Sequence, residues 1–88
     1  MQDRLIFKKE FQMIKELDIV VLSRDIPEHG LKQGDIGAVV HIYREREAFE
    51  VEFITGQGDT VAVMTLNSDD IRLMQGREIL HVRTLQAA

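Results

Sequence analysis

Few side chains in this chain stand where chemistry would need them. Asp69 and Asp70 are adjacent carboxylates, a pair that can serve acid–base catalysis or hold a hard divalent cation. Adjacent residues on a strand point to opposite faces, and on a turn their carboxylates cap backbone N–H groups. No calcium-loop pattern surrounds the pair, so capping is the preferred reading. His29, between Glu28 and Gly30, is of the type that titrates near neutral pH or touches a partner. Its structural alternative, bonding the loop backbone or capping a turn, is preferred. His41 and His81 do not share a metal-ligand spacing with it. Ser23 and Ser68 are the only serines, and neither sits in a glycine-flanked elbow. Gly56-Gln57-Gly58 is too short for a phosphate loop, lacks its lysine, and precedes a strand pattern. These residues predict no enzyme, no cofactor and no metal site.

What the residue types do offer is a contact surface. Arg24, Asp25, Glu28, His29 and Lys32 decorate one polar stretch, Arg24 to Gln33. With Tyr43, Asp69 and Asp70 they form the expected partner-binding surface, made by the 24–33 loop and the 44–47 and 67–70 turns. Binding there would combine charge complementarity with strand addition at a sheet edge, to a protein partner or a further copy of the chain. Tyr43 is the only tyrosine and tryptophan is absent, so the aromatic platform for a proline-rich peptide is missing. The formal net charge of −4 argues against nucleic acid as the default partner, since phosphate binding needs a basic field. The alternative is RNA or ribosome binding by a local basic face of Arg24, Lys32, Arg44 and Arg46.

The scaffold follows from composition and pattern. Eighty-eight residues make one domain with a modest core and little room for a deep pocket. An apolar content of 44% with 30% charged residues fits a globular protein rather than a disordered one. With no cysteine, disulfides, thiolate catalysis and cysteine zinc sites are excluded, and a cytoplasmic protein is the simpler expectation. Met1 to Lys9 has no apolar run long enough for a signal peptide, and no segment has the length to span a membrane.

Along the chain, Phe7, Phe11 and Ile14 recur at helical spacing, with Ile6, Met13 and Leu17 widening the stripe. A short amphipathic helix over Leu5–Leu17, capped by Asp3, is one reading. The other takes Met13 as the start and residues 1–12 as an upstream extension. Asp18 to Ser23 is β-branched and reads as a buried first strand. Pro27 and Gly30 make a loop of residues 24–33. Leu31-Lys32-Gln33-Gly34-Asp35-Ile36-Gly37-Ala38-Val39-Val40 is the most telling run. Gly34 can take φ > 0 in a tight turn, and Gly37 lets another backbone approach or the strand coil.

Ile36 to Tyr43 is then a second strand, with His41 placed on the face of Val39 and Tyr43. Arg44 to Glu47 is a solvated turn. Ala48 to Ile54 alternates cleanly: Phe49, Val51 and Phe53 inward, Glu50 and Glu52 outward. Gly56 to Asp59 is a hairpin turn, Thr60 to Leu66 a fourth strand, Asn67 to Asp70 a short helical turn, and Ile71 to Leu73 a fifth strand. Five short strands in this order predict a mainly β, SH3-like small barrel over residues 18–74, preceded by residues 1–17 and followed by a tail, 75–88. In the tail, Leu80, Val82 and Thr84 alternate with His81 and Arg83, which allows an extra strand at a barrel edge or at the edge of a second copy, a helix, or a frayed end.

The run from Leu17 to Leu73 resembles an uncharacterised group of short bacterial proteins, domain-of-unknown-function family 4926. The resemblance rests on Leu17-Asp18-Ile19-Val20-Val21-Leu22, Asp25-Ile26-Pro27-Glu28-His29-Gly30-Leu31 and Gly34-Asp35-Ile36-Gly37 with Val39-Val40. It continues through Tyr43, Ala48-Phe49-Glu50-Val51-Glu52-Phe53, Thr60-Val61-Ala62-Val63 and Thr65-Leu66. It implies a small SH3-like barrel without established catalytic residues. It also implies a neighbourhood of other small, toxin-like proteins, and with it an antitoxin, immunity or regulatory role. The Gly34–Val40 stretch is separately similar to a KOW element, a glycine-containing barrel turn of ribosomal and transcription proteins.

Overall fold

Alternation over seven residues organises the molecule. In the computed structural model, which describes residues 13–86, Phe49, Val51 and Phe53 are buried while Glu50 and Glu52 lie on the opposite, partly exposed face. Five strands surround that core: β1 (Ile19–Leu22), β2 (Ile36–Ile42), β3 (Ala48–Ile54), β4 (Thr60–Asn67) and β5 (Ile71–Leu73). They form one sheet of order β4-β3-β2-β1-β5 in which every neighbouring pair is antiparallel. β2 is the shared strand. Its first residues, Ile36 to Ala38, pair with β1, and Ala38 to Ile42 pair with β3.

Two features set the course of β2 between its two partners. Gly37 is pressed against β3 so closely that an added Cβ would lie 2.7 Å from Val51 Cγ1 and 2.9 Å from the Glu52 carbonyl oxygen. The register then shifts between Val39 and His41, so that one extra residue sits in β2. Gly34, just upstream, takes a left-handed φ of 95° in the turn that feeds β2. The inward faces close over Val20, Leu22, Val39, Phe49, Val51, Phe53, Ala62 and Leu66, with Ile26, Leu31 and Ile71 sealing the loop side.

Several expectations change. The bulge turns His41 away from Val39: Val39 is fully buried opposite Val51, whereas His41 faces Glu50 on the outer side. The anticipated closure of the sheet is not made, because β4 and β5 are its two edges and no ladder joins them among the described residues. The helix expected over Leu5–Leu17 lies mostly outside the described residues. Its described end, residues 13–17, is not helical and turns at Glu16–Leu17, because Leu17 takes a left-handed φ of 74° and the Asp18 carboxylate accepts the Lys15 N–H at 2.8 Å. Ile14 is nonetheless a core residue. The Leu17 N–H donates to the Val39 carbonyl at 2.6 Å, and the Arg46 guanidinium donates to the Ile14 carbonyl, which holds the segment against the sheet. The short helical turn expected at Asn67–Asp70 is a turn closed by the Asp70 N–H on the Asn67 carbonyl at 3.0 Å, and a 3-10 turn forms at Pro27–His29 inside the loop. Among its described residues, 75–86, the tail contains no strand; ion pairs rather than a ladder hold it.

Gly37→Ala is expected to cost about 1–3 kcal/mol in urea unfolding, because the added methyl meets backbone as well as side chains. Gly56→Ala, with nothing within 4 Å of its added Cβ, should stay within about 0.5 kcal/mol of the parent.

Candidate functional site

The chain between β1 and β2 is held by its own side chains. Ile26 and Leu31 pair as an isolated bridge and bury their side chains, so the loop has an apolar root. Around that root, Asp25 Oδ1 accepts the Gln33 N–H at 2.8 Å and Asp35 Oδ2 accepts the Lys32 N–H at 2.8 Å. Pro27 starts the 3-10 turn and Gly30 ends it with a left-handed φ of 71°. The loop is also tied to the β4–β5 turn. Arg24 Nε donates to Asp70 Oδ1 at 2.8 Å, and the other Asp70 oxygen accepts the Asn67 N–H at 3.1 Å. Asp70 is thus the capping residue anticipated, and a clasp as well.

The expected surface residues divide accordingly. Arg24, Asp25 and Asp70 are structural members of the clasped loop, with Arg24 also donating to the Asp25 carbonyl at 3.1 Å. Glu28, His29 and Lys32 are exposed on its outer side. For His29 the backbone N–H, bonded to the Ile26 carbonyl at 3.1 Å, holds the turn, and the ring projects from it. Asp69 lies exposed in the neighbouring turn, its N–H donating to Asn67 Oδ1 at 2.8 Å. Tyr43 stands with a different group. Its hydroxyl donates to Glu50 Oε1 at 2.9 Å, the Thr65 hydroxyl donates to the same oxygen at 2.7 Å, and the His41 ring meets Tyr43 edge-on at 4.7 Å. These donors, Thr65 foremost and Tyr43 next, hold Glu50 below its ordinary pKa. The basic face anticipated from Arg24, Lys32, Arg44 and Arg46 is divided too, since Arg24 is engaged by Asp70 and Arg46 by the Ile14 carbonyl.

Sequence reasoning missed the tail's role. Residues 78–85 cross the outer face of β1 and β2 and leave an open groove of about 720 Å³ lined by Ile19, Val21, Ile36, Ala38 and Val61 on the sheet side. That is more space than the chain length suggested, and it exists because the tail bridges the sheet without packing down on it. Arg83 forks onto Asp35, with Nε–Oδ1 at 2.9 Å and Nη2–Oδ2 at 2.5 Å, and also donates to the Gly30 carbonyl at 2.8 Å. Burial alone would raise the Asp35 pKa, but the hydrogen bonds from Arg83 and the Lys32 N–H bring it below its ordinary value. Arg72 forks onto Glu78 at 3.0 and 2.5 Å, and with the Gln75 N–H pulls the Glu78 carboxyl down to about 2. No local signal marks Arg83 and Asp35 as partners across 48 positions. Glu50 and Thr65, by contrast, are direct cross-strand neighbours that the β3–β4 hairpin register would have paired.

Among the described residues, no group of three or more His, Asp or Glu side chains is placed to hold a metal ion, and no helix is long and apolar enough to cross a membrane.

A family model described as "Domain of unknown function (DUF4926)" matches residues 16–73, well over half of the 88 residues, and the chain belongs to that family. No curated protein and no solved structure matches the chain.

In an NMR titration the Glu78 carboxyl is expected to titrate near 2, and in Arg72→Gln to move up toward the ordinary value of about 4.3. Because the folded pKa is depressed, the contribution of Glu78 to stability is present above its unfolded pKa and is lost as pH falls through about 2. An unchanged midpoint in Arg72→Gln would refute the fork.

Proposed function

We propose that this member of the DUF4926 family is a non-catalytic, SH3-like small β-barrel that works in the cytoplasm as a protein-interaction module. The barrel reading is supported by the strand order β4-β3-β2-β1-β5 and by one central strand bent between two sheet halves. The observation that carries the function is the clasped loop. Residues 24–35 are ordered by side-chain bonds from Asp25, Asp35 and Arg24, yet present Glu28, His29 and Lys32 outward. A loop already fixed before binding loses little entropy on docking, which is what a recognition surface gains from such internal bonding. The mixed charge on its outer side, with Asp69 in the adjoining turn, suits a protein surface of complementary pattern better than a polyanion. Among the described residues, the carboxylates displaced from ordinary values, Asp35, Glu50 and Glu78, are displaced downward, away from the range a general base near neutral pH would need. Under this reading the partner is a small protein made alongside, and the role is antitoxin, immunity or regulatory.

A photo-crosslinker at Glu28 is expected to capture a discrete protein in native cells, while one at Gln57, in the hairpin turn between β3 and β4, captures none. Against that purified protein, the double reversal Glu28→Lys, Lys32→Glu should weaken binding about tenfold, or about 1.4 kcal/mol. Equal capture at both positions, or unchanged affinity, would count against the loop. Salt-sensitive micromolar binding to RNA in its place would favour the KOW-type alternative.

A further inference from the structure

The tail uses its polar and apolar groups in opposite ways. Arg83 and Glu78 are both held in two-point ion pairs, to Asp35 and Arg72. Ile79 and Val82 are left 93% and 90% exposed, and Leu80 63%. Residues 78–86 belong to no strand, so their backbone has no ladder. Beneath them lies the groove over Ile19, Val21, Ile36 and Ala38. As a latch the arrangement is complete, but as packing it is unfinished: three aliphatic side chains face water on a segment outside any strand.

We propose that two copies of this chain exchange their tails. Residues 77–86 of each copy seat on the other, with Arg83 latched onto Asp35 of the second copy. The tails then run antiparallel past each other about the twofold axis, so that Ile79, Leu80 and Val82 pack across it. Three observations select a second copy as the occupant. The seat already fits this tail, down to Leu85 lying 3.6 Å from where a Cβ on Gly30 would stand, so a copy needs no new complementarity. The turn at Gly76–Arg77 supplies a hinge, with nothing within 4 Å of a Cβ added at Gly76. The charges also match at the seat itself: Asp35 receives the tail's Arg83 and Arg72 receives its Glu78, so each copy presents the partners that the other's tail needs. Exchange of an identical element keeps the Arg83–Asp35 and Arg72–Glu78 pairs, gives up the Gln75–Glu78 turn bonds and adds the interface between the crossing segments, a low-cost route to a dimer. The inference goes beyond the interaction reading above and is independent of it, since it needs no foreign protein.

Light scattering on the full chain tests it. The parent chain is expected to be a dimer. Arg83→Asp and Asp35→Arg should each be monomeric, because every tail then meets a like charge on every seat of its own kind. Mixed in equal amounts they should form a 1:1 dimer, since the Asp-bearing tail fits only the Arg-bearing seat and the native tail only the native seat. A chain ending at Gln75 should be a folded monomer by circular dichroism, its core cluster being intact. Should Asp35→Arg fail to fold, Arg83→Asp and the shortened chain carry the test together, and both must be folded monomers. A monomeric parent, a mixture that stays monomeric, or a shortened chain that still dimerises would overturn the proposal.

Discussion

The contact between Gly37 and β3 sets what the rest of the sheet can do. Val51 Cγ1, the Glu52 carbonyl oxygen and Phe53 Cε2 all lie within 3.0 Å of the place a side chain would begin. Only a residue without a Cβ lets the two backbones approach so far, and that approach allows β2 to leave β1 and continue along β3. The extra residue between Val39 and His41 adds to the bend and re-aims the outer face. It is the reason His41, Tyr43, Glu50 and Thr65 meet there.

A small core leaves its loops to be ordered by other means. The 24–35 loop carries only two buried apolar side chains, Ile26 and Leu31, and depends for the rest on carboxylates that accept backbone N–H groups. Asp25, Asp35 and Asp70 each take such a bond, and Asp35 and Asp70 also accept an arginine. The acidic excess of the sequence is thus partly structural: these carboxylates organise loops from within. Each arginine so paired is withdrawn together with its carboxylate, so these pairs leave the net charge unchanged, and the loop's outer side mixes Glu28, His29 and Lys32. Charge counted over a whole chain is a poor guide to the field a partner meets.

How much was legible in the sequence depends on the range of the interaction concerned. β3 is found at Ala48–Ile54 as its alternation indicates, because one buried and one wet face dictate period two locally. The Gly34 turn and the break at Pro27 are equally local. The bulge in β2 is not: Val39-Val40-His41 carries no glycine or proline to mark it, and the shift appears only when the register with β3 is known. Ile14 is an intermediate case. Its burial is legible in the apolar stripe, but its conformation is not, since Leu17 bonding to Val39 and Asp18 bonding to Lys15 favour a turn over a helix. In the loop, the types of Asp25 and Asp70 suggest capping, whereas the clasp between Arg24 and Asp70 joins positions 46 apart.

The tail shows why an alternating pattern is weaker evidence than it looks. Leu80, Val82 and Thr84 have the period of a strand, but a strand is a relation between two segments, and period two states only what a segment is prepared to do. Here the partner that wins within one chain is an ion pair. Asp35 sits at the end of the loop where Lys32 already orients its carboxylate, so Arg83 meets an acceptor whose geometry is prepaid. A fork of this kind fixes one point along the tail and leaves the side chains on either side of it unconstrained, which is how Val82 comes to be exposed next to a held Arg83. The alternation is then unused rather than meaningless. A segment held at Glu78 and Arg83, with aliphatic side chains in water and no ladder along residues 78–86, keeps the pairing capacity of a strand, which a second such segment can use.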